Sequence, residues 1–126
     1  MATNLKRTHP VFPVVVTHPT APDSGDPVRF GKLCGVALTD EGDGGNAATE
    51  TTVDFRKQVW TLNVDDNEGS GIAPGDILYY HDTGTGSPAT SVNNSSTSAD
   101  AVFGIALGTL GANATGEIDV LLREVS

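Results

Sequence analysis

The sequence predicts an all-β fold: a small single-domain β-barrel or sandwich with an extended Pro-rich N-terminal arm. Three observations carry this. No stretch spaces its apolar residues at the 3.6-residue period of a helix, whereas short apolar runs are cut by turn signals at frequent intervals. The 126 residues include 15 glycines and 7 prolines, and 37% are hydrophobic. A phrase made of a Gly-Asp turn, a strand and a Gly-Val/Ile-Ala-Leu strand occurs twice.

The stretch Ile72–Leu107 holds the fuller copy. Ala73-Pro74-Gly75-Asp76 reads as a turn: Pro presets φ, Gly supplies positive φ, and Asp bonds nearby backbone. Ile77–Tyr80 is β-branched and aromatic, as strands prefer. Phe103-Gly104-Ile105-Ala106-Leu107 alternates large with small side chains, which lets another backbone come close. The first copy runs from Ser24-Gly25-Asp26-Pro27-Val28 to Cys34-Gly35-Val36-Ala37-Leu38. Asp26 and Gly35 are nine residues apart, and Asp76 and Gly104 twenty-eight, so a polar insertion separates the second pair. Gly25, Asp26, Gly35, Gly75, Asp76 and Gly104 are the expected structural turn and close-approach positions. Two copies are too few for a solenoid and fit a domain made of two similar β-units.

In chain order, residues 1–22 read as an extended arm and edge segment, and residues 23–126 as the β-domain. Five of the seven prolines lie between residues 10 and 27. They exclude a helix and a central strand there, leaving Phe12 and Val14–Val16 for an edge strand. Val28–Leu38 reads as two strands or one bent one. Thr39–Thr49, acidic and Gly-rich, reads as a mobile loop. Thr51–Phe55 and Gln58–Val64 follow as strands, the second with Trp60, Leu62 and Val64 on one face. Asp65–Gly71 reads as a solvated turn. His81–Asp100 is rich in Ser, Thr, Gly and Asn and is too long for an ordinary connection. It reads as a flexible or partner-ordered loop with one weak strand near Ala89–Val92. Glu117–Val125 alternates through Ile118, Val120 and Leu122 as the closing strand.

A chain of this length buries roughly two-thirds of its unfolded surface, enough for one core. The formal net charge is −9, from 16 acidic and 7 basic residues. That excludes nucleic acid as the expected partner, since phosphate binding needs clustered Lys and Arg. Residues 1–32 hold four of the basic residues, and residues 40–82 hold ten acids. No run of about 18 apolar residues offers a membrane span, and no apolar leader segment stands at the N-terminus. The single cysteine, Cys34, lies in an apolar run and reads as a small core residue.

No catalytic pattern fits, so no catalytic residues, metal ligands or cofactor are expected. The one Gly-Lys, Gly31-Lys32, lacks the upstream glycine and the following Ser/Thr of a P-loop. There is no Cys pair and no His-x-x-x-His for zinc. Counting a calcium loop from Asn63 or from Asp65 places neither the glycine nor the glutamate where it is required. Tyr79, Tyr80, His81 and Asp82 form a polar-aromatic cluster that reads as strand-end packing, with ligand binding as the second reading.

The ordered set Met1-Ala2-Thr3-Asn4, Ser24-Gly25-Asp26-Pro27-Val28, Leu33-Cys34-Gly35-Val36-Ala37, Gly75-Asp76-Ile77-Leu78-Tyr79-Tyr80, Phe103-Gly104-Ile105-Ala106 and Gly116-Glu117-Ile118-Asp119-Val120-Leu121-Leu122 resembles the small capsid decoration (cement) proteins of tailed phages and prophages. Some members carry a RecA/RadA-like recombinase label, with which the missing P-loop disagrees. The chain departs from the family pattern in its Pro-rich segment 8–22 and its insertion 82–100. The resemblance implies a non-enzymatic β-domain on the capsid exterior of the virion. Its implied partners are the major capsid protein and two further copies in a homotrimer at three-fold or quasi-three-fold sites. The shell would thereby be stabilised against internal DNA pressure. The arm residues Ala2, Thr3, Asn4, Leu5, Lys6, Arg7 and Thr8 are then expected to reach a capsid subunit by strand addition. The other reading is a different surface-binding module, such as a carbohydrate-binding β-domain. Such modules present several exposed aromatics, and this chain has seven in all, most of them needed for a core.

Overall fold

The computed structural model describes residues 11–82 and 91–123. The expected arm residues Ala2–Thr8 lie outside that range. Nine strands fill the described residues: β1 (Val11–Val14), β2 (Pro27–Phe30), β3 (Leu33–Ala37), β4 (Thr51–Asp54), β5 (Val59–Asp65), β6 (Ile77–Tyr80), β7 (Val92–Asn93), β8 (Ala101–Ala106) and β9 (Thr115–Leu122). They make a four-stranded sheet of order β1-β4-β3-β2 and a closed barrel of order β5-β7-β6-β8-β9. The all-β expectation holds, with the barrel and the sheet in one small domain.

The repeated phrase is a repeated structure. Val28 pairs with Gly35 in the first unit, as Leu78 pairs with Gly104 in the second. Gly25 N–H donates to Ala37 O at 2.7 Å, and Gly75 N–H donates to Ala106 O at 2.7 Å. Both glycines need positive φ, +92° and +97°, which only glycine adopts without strain. The third strands match too, with Ala37 opposite Val53 and Ala106 opposite Val120. So do the fourth, with Phe12 opposite Val53 and Trp60 opposite Val120. The order β1-β4-β3-β2 is therefore repeated as β5-β9-β8-β6.

The two units differ in how they close. In the second, β7 pairs with β6 and meets β5 through Asp65 and Asn93. This two-residue strand comes from the Ser/Thr/Asn-rich insertion that reads as a flexible loop. Val92 nevertheless lies in the core, fully buried. In the first unit, Thr17 and His18 bracket Arg29 instead: Thr17 N–H donates to Arg29 O, and Arg29 N–H to His18 O.

Two hydrophobic clusters result. One fills the barrel with residues such as Leu62, Val64, Leu78, Phe103 and Val120. Cys34 and Val36, from β3, belong to it, so one face of the first sheet packs on the barrel. The other cluster joins Val28, Ala37, Val53 and Phe55, with Phe12, Val14 and Val16 against them. Hydrogen bonds tie the acidic loop 39–50 to the strand ends beside it. The Asn46 side chain ties Thr39 to Thr52, and Gly42 N–H donates to Glu50 O at 2.9 Å. A short amide that bridges two strand ends fixes a loop that composition alone makes look loose.

Candidate functional site

The first candidate is the seam between the two units, where four titratable groups meet. His18 lies on the segment before β2, Arg29 on β2, Tyr80 at the end of β6, and Asp82 just beyond. The Tyr80 ring is fully buried, and its hydroxyl lies 2.8 Å from His18 Nδ1. It stacks on Phe103 at 6.2 Å between ring centroids. Arg29 Nε donates to Asp82 Oδ1 at 3.0 Å, and Arg29 Nη2 donates to Asp82 Oδ2. This two-pronged pair has the geometry that suits guanidinium and carboxylate. The hydrogen bonds from Arg29 hold the Asp82 carboxyl below its usual range. Burial pushes the Tyr80 phenol up and the Cys34 thiol up to about 12. A thiol held protonated is no nucleophile. The seam ties the units together and offers no exposed reacting atom.

The second candidate is the end of the barrel around Asp66. The solvated turn expected at Asp65–Gly71 is organised by a carboxylate with 4% exposure. Asp66 accepts from Gly69 N–H at 3.2 Å, Gly71 N–H at 2.7 Å, Asn113 N–H at 2.8 Å and Asn94 Nδ2 at 2.7 Å. Burial opposes its charge, but these four donors outweigh burial and hold its pKa below the ordinary value. With its lone pairs turned toward protein donors, it is not a cation ligand. Among the described residues, no group of three or more His, Cys, Asp or Glu could hold a metal ion. A groove of about 330 Å³ beside it is lined by Glu68, Ser70, Asp76, Tyr79, Asn94 and Ser96.

The remaining sequence-predicted positions sit in the framework. Asp26 and Asp76 cap their own turns, accepting from Asp23 N–H and Ala73 N–H at 2.9 Å each. A Cβ on Gly35 would lie 2.7 Å from Asp54 O, and one on Gly104 would lie 2.3 Å from Leu121 O. The two glycines thus admit the backbones of β4 and β9. Of the aromatics, Tyr80, Phe103 and Phe55 are buried, and Trp60 and Phe12 pack against the two cores. Phe30 and Tyr79 remain outside those clusters, too few for the stacking platform of a sugar-binding module. No helix among the described residues is long and apolar enough to cross a membrane.

Three carboxylates, Asp54, Asp66 and Asp82, are held below their usual pKa, and Asp26 is raised by burial. A lowered native pKa contributes stability that is present above the unfolded value and lost as pH falls through the folded one. Asp26 acts with the opposite sign. The melting temperature is therefore expected to be level between about pH 5 and 8 and to fall steeply below about pH 4. Asp82→Asn should flatten that acid slope; calorimetry across pH checks this.

A family model described as phage cement protein matches residues 6–123. No curated protein matches the chain, and no solved structure does.

Proposed function

We propose that this chain, which belongs to the phage cement protein family, binds the outside of an assembled tailed-phage shell and stabilises it as trimers at three-fold or quasi-three-fold sites. The observation that carries the reading is the family match, which spans residues 6–123 of 126. The structure is compatible with it. Two interlocked β-units, one of them closed, leave few free strand edges and make a rigid body suited to a mechanical role. The acidic surface favours solubility before assembly.

The major capsid protein is the proposed partner, and residues 2–8 are the proposed contact. An extended segment that adds to a sheet edge gains backbone hydrogen bonds whatever its side chains. Lys6 and Arg7 would face acidic groups on the shell. Ordering the segment costs entropy, which three linked arms offset through avidity. Deleting residues 2–8 should abolish co-sedimentation with empty shells while leaving the melting temperature within about 2 °C. Unchanged shell occupancy would overturn the arm as the contact. A full-length chain that never pellets with shells would overturn the decoration role itself.

A further inference from the structure

The two units meet at a junction that runs in one direction. In the first unit, Pro27 on β2 lies opposite Val36 on β3. Both are buried, and Val36 belongs to the barrel's own cluster, because the second unit covers the outer side of that pair. The turn that leads into β2, Gly25 to Pro27, faces Thr61, Leu62, Asn63 and Glu117 across a gap of about 170 Å³. A docking side of the first unit, on β2 and β3, thus rests on a receiving side of the second, on β5 and β9.

Each side has a counterpart in the repeat that is left open. Ile77 on β6 lies opposite Ile105 on β8, as Pro27 lies opposite Val36. Residues directly opposite on adjacent strands share one side of the sheet. Ile77 is 40% exposed and Ile105 half-buried. On the receiving side, Trp60 and Phe12 hold matching positions, opposite Val120 and Val53. Thr61, Leu62 and Asn63 therefore correspond to Pro13, Val14 and Val15, and Glu117 to Glu50. Pro13 is exposed. Val15, at 56%, is the most exposed large apolar side chain among the described residues. Exposed apolar side chains thus stand on both open surfaces, as at a contact site.

The direction of the junction decides the symmetry. Were the units related by a half-turn, Ile77 would lie against Val15 of the same chain, and both would be buried. Their exposure excludes that arrangement. Each kind of surface is used once inside the chain and left over once. A second copy supplies the missing partner by construction. Its surface at Pro13 and Val15 can receive Ile77 and Ile105 as Thr61 and Asn63 receive the turn before Val28. The carboxylates brought together, Asp76 and Glu50, repeat Asp26 and Glu117, which the junction within the chain already accommodates.

We infer that copies of this chain join head to tail, the Ile77–Ile105 pair of one resting on the Pro13 and Val15 surface of the next, so that the junction inside each chain is continued between chains. The contact is heterologous, and such contacts close into a ring where the rotation allows. Setting the ring at three copies rests on the trimer proposed above; the contact itself does not.

The test is a disulfide between two single variants of the full chain, Ile77→Cys and Val15→Cys. Mixed under mild oxidation, they should couple faster than either couples with itself, by about tenfold or more. Buried Cys34, its thiol held protonated, stays out of the reaction. Both substitutions in one chain should give a ladder of linked species that stops at three chains; a ladder that runs on would support the contact and overturn the three-copy ring. Ile77→Asp and Val15→Asp, each at an exposed position, should each lower the light-scattering mass to that of one chain and leave the circular dichroism spectrum unchanged. Self-coupling as fast as mixed coupling, or a mass that neither aspartate changes, would overturn the inference. Pelleting with shells reads the decoration role separately, so either can fail alone.

Discussion

Gly104→Ala should lower stability by at least about 3 kcal/mol and the melting temperature by about 10 °C or more. The physical reason is a close approach between backbones. A Cβ on Gly104 would sit 2.3 Å from Leu121 O and 3.3 Å from Leu122 Cα. Those atoms belong to the paired strand β9, where Gly104 is opposite Leu122. No rotamer change relieves the clash, so β8 and β9 must part and weaken the ladder that closes the barrel. The control is Gly111→Ala, where an added Cβ meets nothing within 4 Å; it should stay within about 0.5 kcal/mol. Urea unfolding of the two variants settles the matter. Equal midpoints would mean that β9 does not cross so close to Gly104.

The second large effect is expected at Tyr80. Tyr80→Ala should cost about 3–5 kcal/mol, as for other large buried aromatics cut to a methyl. The ring is fully buried within the barrel cluster. Its hydroxyl touches the other unit, at His18 Nδ1 and more distantly at Pro27 O, 3.4 Å away. Tyr80→Phe separates the two contributions. It keeps the ring and removes only the hydroxyl contact, so it should cost about 1 kcal/mol. If Tyr80→Phe costs as much as Tyr80→Ala, the polar link between the units outweighs the packing, contrary to this account.

Much of the framework was legible because single residues carried a mechanism. Gly25-Asp26 and Gly75-Asp76 announced turns, since positive φ and a self-capping carboxylate are local properties. The alternation of Ile118, Val120 and Leu122 fixed the inner face of β9 for the same reason. The two-unit architecture followed from matching Gly35 to Gly104. What escaped depended on convergence in space. Asp66 looked like one acid in a solvated turn, because nothing local shows that Asn94 and Asn113 return to it from 28 and 47 residues away. The weak strand expected near Ala89–Val92 lies at Val92–Asn93, and its place between β5 and β6 was not legible, because two residues carry no periodicity. Asn46 likewise pins its loop through strands on either side of it.

The pairing of β5 with β9 has a consequence for persistence. Val59 lies opposite Leu121 and Asp65 opposite Thr115, so the strand that opens the barrel meets its neighbour only when nearly the whole chain is available. Contacts between such distant parts of a chain form slowly, because the loop must close before the pairing rewards it. The same interlock slows the reverse process, since no terminal piece of the barrel can peel away without breaking a ladder on both sides. A coat component of a particle that waits between hosts depends on its lifetime against unfolding more than on its equilibrium stability. By that measure, a late-closing seam is an advantage.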